Sequence, residues 1–198
     1  MMILPFDLRM IPMALAVSVS SNLDNIAIGT SLGFRRIALR LRDNAVVATI
    51  TSIGTVLSAG AGTALTAIVP DYAESTIGGA IMLLVGIWII YQERAKSRAG
   101  ASASVDPVEA SGMGGRINAS ELLMLSLGLT LNNIPNGVGA GMLHIDIWLL
   151  GGLNFVASLL TLGLGMHVGR RGMHWLGRYA GYIAGALLAA LGVTEMVF

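Results

Sequence analysis

The stretch NLDNIAIGTSLGFRRI, residues 22–37, sets a carboxylate, Asp24, in the middle of a long apolar run that stops at Arg35 and Arg36. An ionisable group at that depth is costly, and such groups commonly mark ion or proton paths. The same phrase returns as TLNNIPNGVGAGMLHI, residues 130–145, at an offset of 108. Leu23, Asn25, Ile26, Gly29, Gly33 and Ile37 fall on Leu131, Asn133, Ile134, Gly137, Gly141 and Ile145, and Asp24 falls on Asn132. Two further echoes follow in order: SAGAG (58–62) with TLGLG (161–165), and GAIMLLVGI (79–87) with GALLAALGV (185–193).

Composition names the solvent. Of 198 residues, 55% are hydrophobic and 12% charged, against about a quarter charged in soluble domains. Lipid therefore faces much of the surface. With no cysteine there is no disulfide framework and no thiolate metal site. A membrane-crossing helix needs roughly 20 mostly apolar residues. Stretches 10–33, 45–69, 75–91, 119–143, 147–169 and 177–197 qualify. A lipid-exposed backbone must satisfy its own hydrogen bonds, so these are expected to be helices. The first lacks the basic start of a signal peptide and is echoed later, so it is read as a span.

Of the 12 basic residues, all but Arg9 fall after spans one, three and five, or between spans three and four. That asymmetry predicts cytoplasmic basic loops and both termini outside. Residues 94–116, RAKSRAGASASVDPVEASGMGGR, read as a flexible linker. Asn118, three residues before Glu121, predicts a capping box opening span four. The expected organisation is all-α: a first three-helix repeat over 1–93, a linker over 94–117 and a second three-helix repeat over 118–198. Three being odd, the second repeat enters the membrane inverted, an arrangement of transporters with the substrate near the midplane.

The candidate ligands follow from depth and spacing. Asp24 is the only carboxylate deep within a span. Asn132 and Asn136 share a helix face, Asn133 lies about 100° round, and Asn25 is the symmetry mate of Asn133. Amide oxygens ligate hard cations without adding charge; interhelical hydrogen bonding is the bland alternative. Pro135 predicts a kink in span four. Asn154, Ser52, Thr55 and Ser58 read as groups that bond backbone inside the membrane rather than as ligands. The small-xxx-small pairs Gly29/Gly33 and Gly137/Gly141 predict close packing within the chain, with a homodimer face as the alternative. No hydrolase constellation, nucleotide motif or nucleic-acid surface is present, so no enzyme activity and no tightly bound cofactor are expected.

LDNIAIGTSLGFRRI, LNNIPNGVGAGMLHI, LGLGMHVGRR and GALLAALGV resemble the manganese efflux pump (MntP) family and its YtaF-like relatives in the LysE transporter superfamily. The resemblance implies a six-helix exporter of two inverted three-helix repeats, with an Asp in the first helix of each. Asp24 matches the first, but Asn132 stands where the second belongs. Family pumps also carry an acid in the second helix, and ITSIGTVLSAGAG (50–62) has none. The expected function is export of a divalent cation such as Mn²⁺, ligated by Asp24, Asn25, Asn132, Asn133 and Asn136. The expected place is a bacterial inner membrane, with protons as a further partner. Export of an organic solute such as an amino acid, or a non-transporting membrane scaffold or assembly factor, are the alternatives.

Overall fold

The computed structural model describes residues 10–37, 39–98, 117–171 and 174–197, and among these every element is a helix. In order they are α1 (Met10–Ser21), α2 (Asp24–Phe34), α3 (Leu41–Thr66), α4 (Asp71–Arg98), α5 (Ala119–Met142), α6 (Ile147–Arg170) and α7 (His174–Val197). Met10–Phe34 taken as one span, Leu41–Thr66 and Ile147–Arg170 are long and apolar enough to cross a membrane; Thr76–Tyr91 is a shorter apolar stretch. Large apolar side chains such as Leu57, Leu84 and Trp148 face outward, as a lipid solvent demands. Residues 99–116 of the expected linker lie outside the described residues, and α4 continues to Arg98.

The first apolar run is not one helix. It breaks at Asn22 and Leu23, where tight bonds from Asn22 N to the Val19 oxygen (3.1 Å) and Leu23 N to the Ser20 oxygen (3.3 Å) replace the α-helical ladder. Asn22 spans the break by donating from Nδ2 to the Ser18 carbonyl at 2.8 Å. By contrast, α5 carries Pro135 inside its continuous length. The capping box at its start is present: Glu121 N donates to Asn118 Oδ1 and Asn118 N to Glu121 Oε2, both at 2.9 Å.

The echoed phrases end in the same local structure. Ile37 N donates to the Leu32 oxygen and Ile145 N to the Ala140 oxygen, the long bond of a Schellman cap. Arg36 and His144 supply the left-handed residue, with φ of 56° and 54°. Buried Ile37 and Ile145 follow each cap.

Glycines set the helix pairing. On α2, a Cβ at Gly29 would strike backbone of Leu162, Gly165 and Met166 on α6, and one at Gly33 would strike Met166 and Arg170. Gly165 and Gly169 return the contact against Ile26 and Thr30. Position rises together on both helices, so α2 and α6 run parallel. Likewise α3 and α5 run parallel, with Gly54 against Thr130, Gly62 against Val138, and Gly141 against Ala59 and Thr63. The close backbone approach is what small residues permit where water supplies no hydrophobic drive between helices. In contrast, α3 and α6 run antiparallel: Asn44 Nδ2 donates to the Leu159 oxygen (2.9 Å) and Ser52 Oγ to the Gly151 oxygen (2.6 Å).

Two buried apolar clusters bracket a polar layer. One holds Leu32, Ile37, Val47, Leu125 and Leu162, and the other Ala140, Ile145, Leu150, Val17 and Ala59. The α1–α2 run, α3, α5 and α6 pass from one to the other through polar residues: α1 and α2 through Asn22 and Asn25, α3 through Thr51 and Thr55, α5 through Asn133 and Asn136, α6 through Asn154 and Ser158. All eight of these polar residues are buried.

Candidate functional site

Asp24 and Asn132 meet. Asn132 donates from Nδ2 to Asp24 Oδ2 at 2.6 Å, joining α2 to α5 across 108 residues of chain. Both side chains are half-buried. The break at Asn22 and Leu23 gives the carboxylate its setting. Asp24 opens α2, and its Oδ1 accepts from Asn25 N at 2.9 Å. The first turn of a helix has spare N–H donors and a positive dipole end, together worth about 0.3–1 kcal/mol to an anion there and up to ~2 kcal/mol when partly buried. Asn25 N is shared between this carboxylate and the Asn22 oxygen (3.1 Å), one of the tight bonds that replace the ladder at the break.

The other expected ligands divide into two sets. Asn25 is enclosed in a hydrogen-bonded network: its Nδ2 donates to Asn22 Oδ1 (2.9 Å) and to Ser158 Oγ (3.2 Å). Asn22 Nδ2 donates onward to Asn154 Oδ1 at 2.6 Å, and Thr51 Oγ1 reaches Ser158 Oγ at 3.3 Å. Asn133 and Asn136 are buried, and Oδ1 of each has no hydrogen-bond donor. The sequence reading undervalued Asn22, Asn154, Ser158 and Thr51. A signal for them existed: at the 103-residue offset of SAGAG and TLGLG, Thr51, Thr55 and Ser58 fall on Asn154, Ser158 and Thr161. These two stripes, each spaced at i, i+4 and i+7, are buried.

The hydroxyls of α3 behave as expected: Ser52 bonds the Gly151 oxygen, Thr55 the Thr51 oxygen and Ser58 the Thr55 oxygen. Among the described residues no three His, Cys, Asp or Glu side chains gather as a metal-binding group. The layer therefore offers oxygen from amides and hydroxyls around one carboxylate, a hard-cation donor set of low charge. An outward-facing groove of about 250 Å³ between α3 and α6, lined by Ser52, Ile53, Val56, Leu57, Trp148, Gly151 and Gly152, shares no residue with the Asp24–Asn132 pair.

Comparison with known proteins returns two relatives at modest identity. The "Probable sporulation protein YtaF" of Bacillus subtilis (strain 168) is 24% identical across 93% of this chain and 96% of its own length. The "Putative manganese efflux pump MntP" of Bacillus pumilus (strain SAFR-032) is 26% identical across 59% of this chain and 56% of its own length. The chain resembles both, as the repeated phrases lead one to expect. No family model and no solved structure matches.

Proposed function

We propose that this chain exports a divalent metal cation, Mn²⁺ foremost, across a bacterial inner membrane by alternating access. The observation that carries this is the Asp24–Asn132 bond between equivalent positions of the two halves. The chain would cross the membrane six times as two inverted three-helix repeats, over 1–93 and 118–198, joined by 94–117, with both termini outside. Packing supports that layout. Helix pairs α2–α6 and α3–α5 exchange under the repeat, and each pair is parallel, as spans one with five and two with four must be. The apolar clusters exchange too: Leu32, Ile37, Val47, Leu125 and Leu162 correspond to Ala140, Ile145, Leu150, Val17 and Ala59. Two equivalent apolar plugs around a polar midplane suit an occluded intermediate, each half rocking to open one plug.

In this mechanism Asp24 supplies the charged ligand. Asn132 positions it through Nδ2 and offers Oδ1, and Asn25, Asn133 and Asn136 line the layer. A single negative charge holds a divalent cation weakly, which favours release. The relative named for manganese efflux supports the cargo, and the one named for sporulation spans more of this chain. The test is growth of an exporter-deficient bacterium in excess Mn²⁺. Wild type should rescue and Asp24→Ala should not. Equal rescue by both removes Asp24 from the mechanism, and rescue by neither, with both proteins in the membrane, removes Mn²⁺ as the cargo.

A further inference from the structure

One end of the bundle gathers more arginine than its helices require. There α2 and α6 finish side by side: a Cβ built on Gly33 would lie 3.0 Å from Arg170 N, and one on Gly169 would lie 2.9 Å from Phe34 N. Arg35 and Arg36 follow that contact on one helix, and Arg170 and Arg171 stand at it on the other. Buried Ile37 and Leu39 hold the short return to α3, which runs antiparallel to α6 and so brings Arg40 and Arg42 to the same end. Arg36, Arg40, Arg42, Arg170 and Arg171 are exposed. Asp43, the one acid within residues 33–44 and 163–171, already accepts from Arg40 N at 3.0 Å. A helix C-terminus carries roughly half a negative charge, so two of them favour about one cation, not four. The repeated phrases supply a control. At the offsets of 108 and 103, Arg35, Arg36, Arg170 and Arg171 fall on Leu143, His144, Ala67 and Ile68. That end closes with the same cap, Ile145 N to the Ala140 oxygen, and Gly141, the counterpart of Gly33, lies against Ala59 and Thr63. It does so with no arginine or lysine at the four positions, so closing a helix pair of this kind does not call for them.

Topology asks only that one membrane face be the more basic, not that its charges converge. What borders them names the partner. Phe34 and Leu41, interleaved with the arginines, are 53% and 76% exposed. Below them the outward faces of α3 and α6 are apolar, with Val46, Ile53 and Leu57 on one and Val156, Leu160 and Leu164 on the other. On the membrane-crossing reading given above, on which this inference rests, such a border lies where acyl chains give way to headgroups. Guanidinium groups present paired donors that match phosphate oxygens, and basic pockets at helix ends hold anionic headgroups. A zwitterionic headgroup offsets its phosphate with its own cation, so an anionic lipid fits the surplus charge better. We propose that Arg36, Arg170 and Arg171, flanked by Arg40 and Arg42, bind the phosphodiester headgroup of an anionic phospholipid such as phosphatidylglycerol, with Phe34 and Leu41 against its acyl chains. The exposed apolar border selects a lipid over a soluble phosphate.

The experiment titrates the purified full chain in detergent with phosphatidylglycerol, phosphatidylcholine or inorganic phosphate, reading bound lipid by native mass spectrometry and the thermal unfolding midpoint alongside. Phosphatidylglycerol should stay bound and raise the midpoint, at concentrations about tenfold or more below those at which the other two act. Arg170→Gln combined with Arg171→Gln should weaken its binding by about tenfold, the worth of a hydrogen bond to a charged group. Arg36→Gln should weaken it in the same direction. These side chains are exposed, so the variants should fold, and their midpoints without lipid verify that. Arg94→Gln, which removes an exposed arginine from α4, a helix packed on α5 and α7, should leave binding unchanged. Equal binding of the two lipids, or a loss as large in Arg94→Gln, overturns the proposal. A response to inorganic phosphate equal to that of phosphatidylglycerol makes a soluble anion the ligand and overturns it as well. Mn²⁺ efflux from proteoliposomes separates the two ideas. Efflux without a lipid preference removes the headgroup site and keeps the exporter; phosphatidylglycerol binding without Mn²⁺ flux does the reverse.

Discussion

Arg36 and His144 hold the same left-handed backbone conformation 108 residues apart, at φ of 56° and 54°, each closing a helix that bears one member of the Asp24–Asn132 pair. Glycine is the usual occupant of such a cap because a Cβ is strained there. Arg36 is exposed and gains nothing visible from its side chain in that conformation. Arg36→Gly should therefore raise stability by about 0.5–1 kcal/mol, while Arg36→Ala, which keeps the Cβ, should not. Denaturant unfolding in detergent, comparing the two variants, isolates the backbone term. Equal stabilities would remove the strain from the account.

The glycine contacts make a sharper demand. A Cβ at Gly33 or Gly169 would fall on backbone of the facing helix, which cannot move aside as a side chain can. Gly33→Ala and Gly169→Ala should each cost about 1–3 kcal/mol or more, lowering the thermal midpoint and the yield of folded protein. Gly152→Ala and Gly128→Ala, whose new methyl groups would meet nothing, should be near neutral. Equal effects at all four positions would mean that helix propensity, not the α2–α6 approach, governs the outcome.

The residues that were legible in sequence are those whose physics is local or repeated. Apolar runs gave the helices, Asn118 and Glu121 gave the cap of α5, and the repeated LDN and LNN phrases placed Asp24 opposite Asn132. The break at Asn22 and Leu23 was not legible. Neither a proline nor a glycine marks it, and its replacement bonds come from an asparagine side chain that reads equally well within a helix. The partition of the asparagines was hidden too. Asn25 is bonded by Ser158 from another helix, whereas Asn133 Oδ1 meets no donor. Spacing along one helix does not report that.

Asn132 stands where the sequence resemblance implies an acid, and placing one there is informative. In Asn132→Asp the second carboxylate would stand against Asp24, at a separation now bridged by a 2.6 Å hydrogen bond. Two carboxylates that close disfavour joint ionisation and share a proton unless a cation intervenes. Mn²⁺ affinity should rise by about tenfold or more, because the site would offer two charges, and metal binding should release a proton. Calorimetry in two buffers of different ionisation enthalpy measures both effects. Unchanged affinity would place the bound metal away from this pair.

The Asn22–Asn154 bond separates structure from transport. Asn22 supplies donors to the Ser18 carbonyl and to Asn154 Oδ1, and an acceptor to Asn25; Asn154 Nδ2 already lacks a partner. Asn22→Leu should cost about 1–2 kcal/mol, since it strips Asn154 of its bond and leaves the Ser18 carbonyl at the helix break unsatisfied. Adding Asn154→Leu removes the stranded amide, so the double variant should be less destabilised than the sum of the singles by about 0.5–1.5 kcal/mol. On the proposed reading these residues hold the break and not the ion, so Mn²⁺ efflux per folded molecule should persist in the double variant and disappear in Asp24→Asn. If the double variant is as inactive as Asp24→Asn while folded, Asn22 and Asn154 act on the ion and not only on the helix break.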